Sequence, residues 1–190
     1  MQLHNAYLVV EGPDGMEIID QHALHERVLY EELLNRVRRG PLESQRLLMP
    51  AVADVEESEV AKLEEGGVGA MLARLGIEAE AFGPDAVAVH AFPTLLIERR
   101  RSLDPADIVA EVLRQSIDTA SDESAIHDVL DLMACKAAVK AGDPLSPAEL
   151  DHLVKGRHLS PRHTNCPHGR PTTLRLTLDD LEKQFKRRGF

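Results

Sequence analysis

The stretch AYLVVEGPDGMEIIDQHALHERVLYEELLNRV, Ala6 to Val37, contains the change of period that decides how this chain folds. Ala6 to Val10 is apolar and β-prone, Gly12-Pro13-Asp14-Gly15 has turn chemistry, and Met16 to Ile19 is a second β-prone run. Together they predict a β-hairpin. From His22 to about Arg39 the period lengthens. Tyr30, Leu33, Leu34 and Val37 recur at helical spacing, and Gly40-Pro41 stops the helix. A strand therefore hands over to a helix at Asp20-Gln21-His22.

Downstream, Leu47 to Val55 is extended. Ser58 is expected to cap a helix reaching about Leu75, interrupted by Gly66, Gly67 and Gly69. Ile77 to Ile97 predicts two or three strands with a turn at Gly83-Pro84-Asp85, and Arg99 to Ser102 a charged loop. Asp104-Pro105 opens a helix to about Ile117, Thr119 to Ser124 is a polar linker, and a further helix spans about Ser124 to Lys140. Ser146-Pro147-Ala148-Glu149 has the N-cap, first-turn Pro and capping-box residues of a short helix. His158 to Pro171 predicts a loop. The alternation of Leu174, Leu176 and Leu178 predicts a strand, and Asp179 to Arg188 a closing helix. Strands and helices mix without a βαβ rhythm, so the fold class is α+β.

With 190 residues the chain can bury a core without disulfides. Hydrophobic residues are 43% and aromatics only 3%, with no Trp, so Leu, Val, Ile and Ala must build that core. Base stacking on aromatics as a route to single-stranded nucleic acid is disfavoured. The net charge of -10 disfavours a stand-alone DNA binder, because phosphate neutralisation needs a basic surface. Basic residues do cluster, at Arg36, Arg38 and Arg39, at Arg99 to Arg101, and at Lys183 and Lys186 to Arg188, in positions that also suit solvated helix ends. Two cysteines are too few for a disulfide framework. The opening MQLHNAYLVV lacks a signal-peptide pattern and no run reaches membrane-span length, so the expectation is a cytoplasmic protein with reduced thiols and no membrane partner.

Three segments carry candidate chemistry. In DQHALHE, Asp20 precedes the helix, while His22 and Glu26, four residues apart, share its inward face with Tyr30 and Leu33. An inward carboxylate is costly unless paired or metal-bound. The same residues also suit an N-cap Asp with a surface Glu and two solvated histidines. In CPHGRP, Cys166 and His168 project to one side of a Pro-stiffened loop, a thiolate and an imidazole suited to zinc, or a connector with a buried thiol. Cys135 lies opposite the apolar stripe Ile126, Val129, Leu130, Met133 and Ala137, alongside Leu132 and Val139. It reads as a buried small hydrophobe or as a further ligand. The set Asp20, His22, Glu26, Cys135, Cys166 and His168 exceeds what one structural Zn²⁺ needs, and its carboxylates admit Mn²⁺ or Mg²⁺.

DQHALHERVLYE, Asp20 to Glu31, resembles the endonuclease motif of the MutL family of DNA mismatch-repair proteins: DQHA, two residues, Glu, four residues, Glu. Ala134-Cys135-Lys136, Cys166 to Pro171 and Phe185-Lys186-Arg187 resemble the family's later elements, in the family's order. The resemblance implies a C-terminal domain that nicks one strand of duplex DNA, with Asp20 and Glu26 catalytic through Mn²⁺ or Mg²⁺ and a structural or regulatory Zn²⁺. It implies a homodimer, with an external dimerisation subdomain at 1–44 and 135–190 and an internal regulatory subdomain at 45–134. It also implies work beside an N-terminal ATPase region and a mismatch-recognition protein, on the bacterial nucleoid during repair. Gln45-Arg46-Leu47-Leu48-Met49-Pro50 is similar to the family's sliding-clamp motif, with Gln45, Leu47, Leu48 and Pro50 as contacts, or is an ordinary strand. Two other classes remain: an interaction module with a structural zinc and no catalysis, and an unrelated zinc hydrolase acting on a small molecule. Intact Asp20 and Glu26 speak against the first, and the lack of an H-E-x-x-H helix speaks against the second.

Overall fold

A computed structural model describes residues 1–65, 67–100, 102–115, 122–140, 142–157 and 172–187. In chain order the first elements are β1 (Gln2–Leu3), β2 (Tyr7–Gly12), β3 (Gly15–Asp20), α1 (Gln21–Val37), β4 (Ser44–Asp54), α2 (Glu57–Glu65), α3 (Val68–Arg74) and β5 (Glu78–Ala81). They are followed by β6 (Ala86–Pro93), α4 (Thr94–Arg99), α5 (Pro105–Arg114), α6 (Asp122–Ala137), α7 (Pro147–Gly156), β7 (Thr173–Thr177) and α8 (Leu178–Gln184). The fold is α+β with antiparallel sheets. The chain divides into two compact units, Met1–Glu31 with Ala138–Phe190, and Glu32–Ala137.

In the first unit the sheet order is β1-β2-β3-β7. The expected hairpin joins β2 to β3, with Gly12 opposite Gly15 across the Pro13-Asp14 turn. Facing residues of an antiparallel pair lie on the same side of the sheet. Leu8 is opposite Ile19, and this side packs with Leu24 and Val28 of α1 and with Leu153 of α7. The other side carries Val9 opposite Ile18, Ile18 opposite Leu174, and Met16 opposite Leu176, all half-buried or exposed. α7 begins with the predicted capping box, in which Ser146 and Glu149 satisfy each other's backbone N–H.

In the second unit β6 lies between β4 and β5. Being central, β6 is buried at nearly every position, from Val87 and Val89 to Ala91 and Phe92. α5 packs on β4 and β6 with Ile108, Val109, Val112 and Leu113 fully buried, and α6 packs on α5. Asp104 caps α5 by accepting the Ala106 N–H at 2.9 Å, as its sequence predicts.

Five element expectations are corrected. The helix expected from Ser58 begins at Glu57, with Glu59 accepting the Glu56 N–H at 2.8 Å, and the run to Leu75 is two helices, α2 and α3. Thr94 to Ile97 is helical, not a strand. Pro93 ends β6, and Leu95 and Leu96 are buried from α4; a short apolar run does not show its period. Leu178 leaves the strand for α8, because Thr177 and Asp180 form a capping box that stops β7. The same Thr177 hydrogen bonds hold the Asp180 carboxyl below its ordinary range. The helix expected to reach Lys140 ends at Ala137. The expected loop 158–171 and residues 119–121 of the expected linker lie outside the described residues, while Asp122 to Ser124 belong to α6 and not to a linker.

Gly15 has a φ of 153°, and a Cβ there would collide with the Leu176 carbonyl of β7. Only glycine lets β7 pair this close to the hairpin turn. Gly15→Ala is expected to destabilise the domain by about 2 kcal/mol, read as a lowered urea midpoint.

Candidate functional site

β3 passes into α1 with no intervening residue, Asp20 ending one and Gln21 starting the other. Asp20 Oδ1 accepts the Ala23 N–H at 3.0 Å, the N-cap bond to the third helical residue. The Asp20 N–H donates to the Thr172 carbonyl and the Gln21 N–H to the Ala6 carbonyl. The Gln21 side chain, 1% exposed, accepts from Gln2 Nε2 at 2.6 Å and donates to the Asp143 carbonyl at 3.1 Å. The second residue of the DQHA motif is thus a buried structural tie, a role its sequence position did not signal.

At the next residue, His22 Nδ1 lies 2.8 Å from the Val139 carbonyl oxygen. A carbonyl only accepts, so Nδ1 carries the proton and Nε2 keeps its lone pair in the neutral ring. That Nε2 is 3.9 Å from Glu26 Oε2. Glu26 is only 7% exposed, as expected for a residue in line with the fully buried Leu33. The reading of Glu26 as a surface carboxylate is therefore set aside. A buried carboxylate beside an imidazole lone pair is a donor set that a divalent cation fits, with a hard oxygen and a borderline nitrogen. The carbonyl behind the ring is the usual orienting partner of a metal-ligating histidine.

Among the described residues no three His, Cys, Asp or Glu side chains gather to hold a metal. Cys166 and His168, with the rest of CPHGRP, lie outside the described residues. Cys135 is on α6 in the second unit, and it is exposed. Its reading as a buried small hydrophobe is corrected. The stripe from Ile126 to Ala137 does take the buried face, and Val139 falls beyond the helix end. At the other C-terminal element, the Arg187 guanidinium stands 5.9 Å over the Phe185 ring.

Gln45 to Pro50 sits on β4, an edge strand. Its pairing with β6 slips between Arg46, opposite Ala91, and Ala51, opposite Val89, so residues 47–50 bulge from the ladder. Gln45 and Pro50 are exposed, Leu47 is half-buried, Leu48 is fully exposed and Met49 is 78% exposed. A packed strand would not leave Leu48 in water.

These features define a class: an α+β domain with an apolar outward sheet face and a carboxylate–imidazole pair at a strand-to-helix junction. The chain belongs to the MutL C-terminal dimerisation domain family, whose model matches residues 1–145. It is 38% identical over 188 residues to the DNA mismatch repair protein MutL of Brucella abortus strain S19, covering 98% of this chain and 30% of that protein. It is 37% identical over 187 residues to the MutL protein of Nitrobacter winogradskyi and 38% identical over 187 residues to that of Paramagnetospirillum magneticum, with the same coverage in both. The chain thus spans about 30% of the length of these relatives. No helix among the described residues is long and apolar enough to cross a membrane.

The two roles of Asp20 separate by substitution. Asn caps a helix as well as Asp, so Asp20→Asn is expected to keep the wild-type melting temperature, whereas Asp20→Ala loses about 1 kcal/mol. Equal melting of both variants would show that the cap contributes nothing.

Proposed function

We propose that this chain is the metal-dependent, DNA-nicking dimerisation domain of a MutL-type mismatch-repair protein, stimulated by the sliding clamp. The observation that carries the reading is the inward Glu26 carboxylate facing the lone pair of an oriented His22. Asp20, His22, Glu26, Cys135, Cys166 and His168 are the candidate ligands, more than one Zn²⁺ takes, with Asp20 and Glu26 serving the catalytic Mn²⁺ or Mg²⁺. Bound ions would supply a hydroxide nucleophile and charge neutralisation for phosphodiester hydrolysis. The chain's own part is positioning. The Val139 carbonyl fixes the His22 ring. The helix cap occupies one Asp20 oxygen and leaves the other for an ion. Burial denies the Glu26 carboxylate its water and so favours a cation beside it.

Assembly follows from the outward face of the first-unit sheet. Val9, Met16, Ile18, Leu174 and Leu176 form a contiguous apolar surface of the kind that marks an interface, and a second copy is the occupant a dimerisation family implies. The external subdomain proposed at 1–44 and 135–190 and the internal one at 45–134 would correspond to the two compact units, whose own divisions fall at Glu31/Glu32 and Ala137/Ala138. The net charge of -10 is offset in use by the partners: the N-terminal ATPase region, the mismatch-recognition protein and the clamp. The bulged Gln45 to Pro50 segment supports the clamp contact, offering Leu48 and Met49 to an apolar groove. The setting is the bacterial cytoplasm, on the nucleoid during repair.

Three outcomes are expected. Supercoiled-plasmid nicking with Mn²⁺ and clamp falls about 100-fold or more in Asp20→Asn and Glu26→Gln; wild-type rates would remove either residue from the chemistry. A wild-type dimer that holds zinc yet never nicks would instead be an interaction module. Light scattering gives twice the 21.0 kDa chain mass for wild type and the chain mass for Ile18→Lys/Leu174→Lys; a wild-type monomer at tens of micromolar contradicts the assembly. Gln45→Ala/Leu48→Ala loses clamp pull-down and clamp stimulation while its stability changes by less than about 0.5 kcal/mol. A large stability loss with clamp binding intact would make the segment a packed strand.

A further inference from the structure

Val139 makes two hydrogen bonds of opposite sense to two histidines of one helix. Its carbonyl accepts from His22 Nδ1 at 2.8 Å, and its N–H donates to His25 Nδ1 at 3.0 Å. The first bond requires a proton on His22 Nδ1, and the second requires a lone pair on His25 Nδ1. The two neutral rings are thereby held in opposite tautomers. His22 exposes an Nε2 lone pair toward Glu26, and His25 carries its proton on Nε2. His25 is 7% exposed and lies in the first unit with the half-buried His22 and Val139, and both hydrogen bonds are part-buried.

A histidine ligand needs its coordinating nitrogen bare and its ring held. Val139 belongs to no helix or strand, lying between the end of α6 and the start of α7. Its carbonyl shares an amide plane with the Lys140 N–H, which donates to Asp143 Oδ2 at 2.9 Å, and the preceding amide, outside any strand ladder, is held through the Val139 N–H on His25. We propose that His25 is a positioning residue for the metal centre. By accepting the Val139 N–H, it fixes the residue whose carbonyl locks His22 with Nε2 turned to Glu26. His25 itself is not a ligand through Nδ1, since that lone pair is used. The inference rests on the metal-binding reading of His22 and Glu26.

Two measurements test it. Long-range ¹H–¹⁵N correlation spectra of the metal-free wild-type domain are expected to show His22 protonated at Nδ1 and His25 protonated at Nε2. Matching or rapidly averaged tautomers would overturn the proposal, and this reading needs no variant to fold. Zinc affinity, from competition with a chromophoric chelator, is then compared in wild type, His25→Leu and His25→Asn. Asn places its amide oxygen near the Nδ1 position and can accept the same N–H. His25→Leu is expected to bind zinc about 10-fold or more weakly, and His25→Asn within about 3-fold of wild type. Wild-type affinity in His25→Leu overturns the positioning role and leaves the metal site standing. Equal loss in both variants marks a merely structural histidine and also overturns it. A wild-type domain with no zinc affinity removes the metal reading and this inference together.

Discussion

Between Asp20 and Gln21 a β-strand becomes an α-helix with no residue in between, and that change of direction has no loop to absorb it. Side chains and crossing backbone bonds hold it instead. Asp20 caps the helix, Gln21 ties β1 to the Asp143 carbonyl, and the two backbone N–H groups reach Thr172 and Ala6. A joint so held fixes the first turns of α1 against segments from both ends of the chain. His22 and Glu26 project from those turns, so their geometry is inherited from the joint. This is how a carboxylate comes to sit inside the fold at a position where burial alone would cost several kcal/mol.

The same unit carries its other surface on the far side of the sheet. Alternation along β2, β3 and β7 sends Leu8 and Ile19 inward and Val9, Ile18 and Leu174 outward. Such a sheet has two apolar sides and one helical layer packed in its core, which leaves the second side for another molecule. The second unit differs. Its apolar residues are gathered on β6 and α5, and its exposed hydrophobics include the bulge on β4. A bulge on an edge strand breaks continuous pairing with other chains while presenting side chains to one partner. In a chain of net charge -10, contacts of this apolar kind do not depend on a basic surface.

Much of this was legible in the sequence. The spacing of His22 and Glu26 placed them on one helix face, the Gly12 to Gly15 turn placed the hairpin, and Ser146 to Glu149 placed a cap; each depends on residues close in sequence. What was not legible depends on distant partners. The burial of Gln21 needs Gln2 and Asp143, and the histidine tautomers need Val139, a backbone partner with no side-chain signature. The bulge at residues 47–50 is set by pairing with β6, and the helix at Thr94 by a proline whose effect could equally have ended a loop. Cys135 shows a further limit. Its stripe correctly gave the buried face of α6, but the period said nothing of what meets the opposite face, where the thiol is exposed.

The central claim is that Glu26 is buried in order to bind a metal ion. Zinc K-edge X-ray absorption of the zinc-loaded domain, compared between wild type and Glu26→Ala, tests it most directly. A Glu26 ligand predicts a mixed shell of sulfur and lighter nitrogen or oxygen scatterers in wild type, with one light scatterer lost or replaced by water in the variant at a longer distance. An identical edge and shell in both proteins, or a wild-type shell made only of sulfur, would contradict it.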